Sequence, residues 1–204
     1  MESGKICRNV AIFIYENVEI LDFTGPYEVF ITGSDRGKDF NVFTVAENEQ
    51  PVIALGNLSI NPNYSIKNCP LPDILIIPGG WGARKEMKNE TIINWIENVS
   101  NDTELVLSVC TGALILAKTN LINGLKLTTN RLAYNELEEV IPKSSELLEE
   151  VRYVDNGKFI FSAGVSAGID MSLYVIQKLL GEQRALKTAA IMEYEWNKSK
   201  YYRK

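Results

Sequence analysis

Cys110 sits in Ser108-Val109-Cys110-Thr111-Gly112, between the apolar run Leu105 to Val109 and the apolar segment Gly112 to Lys118. This is the layout of a nucleophile elbow with sulfur in place of oxygen. A strand turning sharply into a helix crowds its flanks, so small residues are needed two before and two after the nucleophile, and Ser108 and Gly112 supply them. The turn also places the sulfur near the start of the next helix, whose positive end favours thiolate. The competing reading is a buried core cysteine, a common fate for a lone thiol.

Two other segments can bring groups to such a thiol. Pro78-Gly79-Gly80-Trp81-Gly82 follows the apolar run Ile74 to Ile77, and an amide from this loop can converge with that of Thr111 on a developing anion. Pro-Gly-Gly is also an ordinary loop signal. Glu19 and Asp22 lie in VEILDFTGP after the first apolar run. Asp22 reads either as the N-cap of a helix beginning near Phe23 or Thr24, or as the proton-transfer partner of Cys110. In the second case the two groups titrate as a pair. The sequence contains no histidine, which excludes a Ser-His-Asp or Cys-His mechanism within one chain. Carboxylates, Tyr, Lys and water remain for proton transfer.

The elements that must position these residues alternate. Val10 to Tyr15, Phe40 to Ala46, Ile74 to Ile77 and Leu105 to Val109 read as buried strands, with a further strand at Leu125 to Thr128. Helices are expected after Thr24 with Pro26 near its first turn, from about Arg84 to Val99, over Gly112 to Lys118, around Leu132 to Val140, over Ala167 to Leu180 and over Gln183 to Trp196. Val151 to Val154 and Phe159 to Ser162 flank Asn156-Gly157, a hairpin in which both turn residues take positive φ. Strands alternating with helices predict an α/β/α three-layer sandwich with a mostly parallel central sheet. Ligand sites in such sheets lie beyond the carboxyl ends of the strands, where Asp22, Gly79-Gly80 and Cys110 all fall.

The whole chain, 204 residues with 46% hydrophobic and 23% charged, suits one domain spanning 1–204. A net charge of -5 without a basic cluster predicts no nucleic-acid partner, and no apolar stretch is long enough to predict a membrane span. Cys7, Cys69 and Cys110, 62 and 41 residues apart, fit neither a disulfide framework nor a paired zinc site. A soluble protein of the cytoplasm is expected.

The strings LDFTGPYEVF, IIPGGWGAR, SVCTGALILAKTNLINGLKLTTN and SAGVSAGIDMSLYVIQKLLGEQRA, followed by EYEW, resemble the ThiJ/PfpI superfamily across nearly the whole chain. Within it, LDFTGP, SVCTGA and AGIDM are most similar to the isonitrile hydratase branch. The resemblance implies a flavodoxin-like, class I glutamine-amidotransferase-like fold and a homodimer. It implies Cys110 as nucleophile, Asp22 as the acidic partner, and Gly80 with Thr111 as backbone donors. Gly79 and Asn130 are the expected substrate-binding positions, with no metal and no organic cofactor. Asn130 follows Thr128-Thr129 where many relatives carry His, and an amide cannot act as a base. That departure favours hydration of a small apolar isonitrile to an N-substituted formamide over amidase, protease or glyoxalase chemistry. Two other classes remain open on sequence: a redox sensor built on oxidation of Cys110, and a small-molecule binding module. Some related domains belong to AraC-type regulators, and no helix-turn-helix module follows here. Asp170, Tyr194 and Trp196 read as structural.

Overall fold

The computed structural model describes residues 7–196, 198 and 201–203. In chain order the elements are β1 (Arg8–Phe13), α1 (Ile20–Gly33), β2 (Phe40–Ala46), the short strands β3 (Val52–Ile53), β4 (Ser59–Ile60) and β5 (Tyr64–Ser65), β6 (Ile74–Ile77), α2 (Ala83–Glu86), α3 (Glu90–Ser100) and β7 (Leu105–Val109). They continue with α4 (Gly112–Leu116), β8 (Lys126–Leu127), α5 (Tyr134–Glu138), β9 (Glu146–Leu147), β10 (Tyr153–Asp155), β11 (Phe159–Ser162), α6 (Ala167–Leu180), α7 (Glu182–Ile191) and β12 (Tyr201–Arg203).

Eight strands form one sheet in the order β12-β10-β11-β7-β6-β1-β2-β5. From β11 through β5 every neighbouring pair is parallel, and β10 turns antiparallel to β11. Every residue of β6 and β7 is buried. Helices cover both faces, so these strands have no solvent side, and apart from the small Ser108 they read as continuous apolar runs. Each fully buried Ile or Leu there contributes roughly 1.5–3 kcal/mol of transfer free energy.

Register fixes the site. Ile12 pairs with Ile76 and Ile77 with Ser108, so β1, β6 and β7 end at one edge of the sheet. The chain leaves β1 for β2 on one side, while β6 packs on the other, which makes this edge the topological switch point. Under the elbow the backbones touch: a Cβ on Gly112 would lie 2.0 Å from the Ile77 carbonyl oxygen and 2.9 Å from that of Pro78. Neither atom can move without disturbing β6. Gly112→Ala is therefore expected to cost about 1–3 kcal/mol, read as a lowered urea midpoint with an unchanged m-value.

Several elements differ from their sequence expectation. α1 starts at Ile20 rather than Thr24, so Pro26 lies inside the helix and Asp22 within its first turn, not at its cap. The Arg84 to Val99 segment is split into α2 and α3, and α3 begins after Asn89, whose amide donates to both Glu47 and Glu86. β8 does not join the central sheet but pairs with β9. Only Gly157 of the β10–β11 turn takes positive φ. α7 stops at Ile191, and the chain reverses through Glu193 at φ 49°. No helix among the described residues is long and apolar enough to cross a membrane.

Candidate active site

Cys110 directly follows β7 with φ 56°, a left-handed conformation that costs an L-residue with a side chain roughly 1 kcal/mol or more. Its backbone is held there from both sides. The Cys110 N–H donates to the carbonyls of Ser162 (3.2 Å) and Ala163 (3.0 Å), and its own carbonyl accepts the Thr129 hydroxyl at 2.7 Å. β11 and the Thr128-Thr129 segment thus over-determine a strained turn, which is how a nucleophile elbow persists.

The loop after β6 closes over the elbow. Val18 and Gly80 form an antiparallel bridge, and the Glu19 N–H donates to the Gly79 carbonyl at 2.9 Å. The Gly79 N–H donates to Asp22 Oδ2 at 3.0 Å. The Gly80 N–H donates to the Thr111 hydroxyl at 2.9 Å, and that hydroxyl donates back to the Gly80 carbonyl at 3.1 Å. Glycine is required at 79 because a Cβ would come within 2.5 Å of the Thr111 nitrogen and 2.8 Å of Asp22 Oδ2. Gly80, at φ 128°, needs its freedom of conformation as well.

Asp22 is fully buried, and Pro26 four residues on has no N–H to offer its carbonyl. Burial is the chief influence on its carboxyl and pushes the pKa up to about 7, with the Glu19 charge adding to the rise. The Gly79 N–H and the Cys110 thiol act the other way. Oδ1 is buried without a conventional hydrogen-bond partner among the described residues. Cys110, 6% exposed, is pushed up to about 12, first by burial and then by the Asp22 charge. The Thr111 N–H, the Asn130 side chain and the Val165 N–H oppose that rise. The expectation of a thiolate favoured by a helix terminus is thus corrected: α4 has five residues, and desolvation outweighs its dipole. Burial thus holds the sulfur as a thiol beside a carboxyl whose pKa is raised, and the mobile proton belongs to both.

Asp22, Gly79, Gly80, Cys110, Thr111 and Asn130, the six residues picked out from sequence, meet at this one edge. Their amides are differently disposed from expectation. Gly79 and Gly80 both direct their N–H groups to protein partners, whereas that of Thr111 faces the sulfur. Asn130 is oriented by its neighbour, since Oδ1 accepts the Leu132 N–H at 2.9 Å and the side chain packs where a Cβ on Gly164 would stand. Sequence reasoning missed Val165, a β-branched residue at φ 40° whose N–H faces the thiol. The signal was Ala163-Gly164 directly after a strand, a place where backbone approaches closely. Tyr15 was also missed as part of the site, although it is a polar-tipped residue closing an apolar strand.

A cleft of about 630 Å³ opens beside Asn130 and Val165, bordered also by Tyr134, Glu150 and Arg152. Arg152 is not free in it: its Nε donates to the buried Asp170 carboxylate at 2.5 Å, and Tyr194 donates to the other oxygen at 3.1 Å. That network confirms neither a ligand nor a catalytic group at Asp170. Among the described residues no cluster of three His, Cys, Asp or Glu is placed to hold a metal. Cys7, in contrast to Cys110, is exposed, so iodoacetamide at pH 7 should modify Cys7 first. Peptide mapping over time checks this, and a Cys110 labelled as fast as Cys7 would mean that Asp22 already ionises it.

Comparison with known proteins identifies a family for the chain. The DJ-1/PfpI family matches residues 8–178. Isonitrile hydratase of Pseudomonas putida is 30% identical over 185 residues, covering 91% of this chain and 78% of that protein. The uncharacterised protease YoaZ of Bacillus subtilis (strain 168) is 28% identical over 181 residues, covering 84% of this chain and 83% of that one. A solved THiJ/PfpI family protein from Pseudomonas syringae superposes with a TM-score of 0.85 at 24% identity, over 96% of this chain and 78% of the other. With an elbow cysteine, a buried acidic partner and a family match that spans the sheet from β1 into α6, the chain belongs to the DJ-1/PfpI family.

Proposed function

We propose that the protein hydrates an organic isonitrile to an N-substituted formamide, with Cys110 as nucleophile and Asp22 as its proton relay. The observation that carries this reading is the elbow geometry: Cys110, at φ 56°, is buried together with an Asp22 carboxyl that the Gly79 N–H holds at 3.0 Å, in a chain without histidine. The similarity to isonitrile hydratase selects the reaction among those the pair can serve. As the sulfur bonds to the terminal isonitrile carbon, the Asp22 carboxylate takes the thiol proton and delivers it to that same carbon, giving a thioimidate, S–CH=N–R. Water then adds to the thioimidate carbon, the C–S bond breaks, and the nitrogen gains a proton. The product is HC(O)NH–R, and the thiol is regenerated. The net stoichiometry is one isonitrile and one water to one formamide.

An apolar, uncharged substrate suits a thiol that is not ionised at rest, because it brings no charge into a desolvated site. The same features weigh against a redox sensor, which needs an accessible, low-pKa thiol. Incubating purified protein with an alkyl isonitrile and following formamide by NMR tests the reading. Release of none above buffer would overturn it. The reading includes a homodimer. Leu21 and Trp81, adjacent in sequence to Asp22 and Gly80, and Leu132, two residues after Asn130, are exposed and are the apolar residues such a contact would cover.

A further inference from the structure

We propose that Tyr15 is a positioning residue for Asp22, gripping the far end of the peptide unit whose near end binds the carboxylate. The Tyr15 hydroxyl donates to the Pro78 carbonyl at 2.7 Å, and the Gly79 N–H of the same peptide donates to Asp22 Oδ2 at 3.0 Å. In a trans peptide the C=O and N–H point in opposite directions, so the two bonds form one line from phenol to carboxylate. A donor on the oxygen polarises the N–H and strengthens the bond it makes.

The placement is rigid. Tyr15 lies two residues past the buried end of β1, is 4% exposed, and its ring lies where a Cβ on Gly82 would come within 2.9 Å. A buried phenol needs a partner for its hydroxyl, and the Pro78 carbonyl supplies it. Among the described residues Asp22 has few other supports: its Oδ1 has no conventional partner, and Gly79 is the one backbone group that stabilises its charged form. The ionisable groups that bear on Asp22 are Glu19 and Cys110, and Tyr15 in turn feels Asp22, Cys110, Glu86 and Arg84. Because the Gly79-Gly80 loop is also fastened by the Val18 bridge and the Glu19 N–H, removing the phenol hydroxyl should loosen the Gly79 bond rather than destroy the site.

The inference bears on the relay role proposed for Asp22, yet its test uses no substrate, so it fails or stands apart from the hydratase reading. Protein labelled with carbon-13 at the aspartate carboxyls is titrated by NMR, with the Asp22 signal assigned by its loss in Asp22→Asn. Tyr15→Phe should move the Asp22 midpoint upward by about half a pH unit, since a weaker Gly79 bond stabilises the carboxylate less. Incorporating 3-fluorotyrosine at position 15, a stronger donor, should move it downward. A purely structural Tyr15 would lower the melting temperature of Tyr15→Phe without moving the midpoint. That result in a folded Tyr15→Phe overturns the proposal. If Tyr15→Phe does not fold, an unmoved midpoint in the fluorinated protein does so instead.

Discussion

Cys110→Ala should leave no formamide production above that of buffer. Among the described residues no second thiol adjoins the Asp22 carboxyl: Cys69 is far along the sequence and half-buried, Cys7 is exposed near Gly37, and the sequence has no histidine to activate a hydroxyl. Cys110→Ser should be nearly as inert, because a hydroxyl is far less acidic than a thiol and Asp22 at about 7 is too weak a base to ionise it. The loss can be assigned to chemistry rather than folding. Ala fits the space the thiol leaves, and the φ of 56° is borne equally by Ala and Cys, so melting should shift by only a few degrees. Cys110→Gly is the informative companion. It relieves the strained conformation and should match or exceed wild type in stability while remaining as inactive as Cys110→Ala. Activity surviving in Cys110→Ala or Cys110→Gly would remove Cys110 from the mechanism.

The parts of this site that were legible in the sequence are those whose chemistry is local. The elbow at Cys110 follows from small residues around one thiol, and β2, β6 and β7 match their expected bounds residue for residue, since their mostly apolar, β-branched and aromatic residues suit strands in a covered sheet. What the sequence hid depends on distant segments. The start of α1 was misplaced because Pro26 reads as a first-turn residue, and only packing shows the helix running through it. The direction of the Gly79 and Gly80 amides is set by Asp22 and Thr111, which are 57 and 31 positions away in the chain. The thiol's pKa was misjudged for the same reason. A helix dipole can be read from sequence, whereas the desolvation that overrides it arises when α1, the β6 loop and the Val165 turn close on one sulfur.

Asp22→Asn should reduce kcat/KM on an isonitrile by on the order of 100-fold or more, the usual contribution of a positioned proton-transfer group. Asparagine keeps the shape and can still accept the Gly79 N–H through its oxygen, so the change removes the mobile proton and little else. The pH profile gives a sharper reading. If the carboxylate must take the thiol proton, wild-type kcat/KM should rise through an apparent pKa near 7 and level off above it, and the residual rate of Asp22→Asn should lack that inflection. Stability should move in the opposite direction to activity. A carboxyl whose folded pKa lies above its unfolded value near 3.8 binds a proton more readily in the native state, so its favourable contribution is complete below about pH 4 and is lost as pH rises through about 7. Across that window wild type should lose stability relative to Asp22→Asn, by up to a few kcal/mol on the usual conversion of pKa shift to free energy. Urea melts of both proteins at pH 5 and pH 8 measure it. A gap that does not widen with pH would show that Asp22 does not carry a raised pKa, and a variant with undiminished turnover would show that the thiol proton leaves by another route.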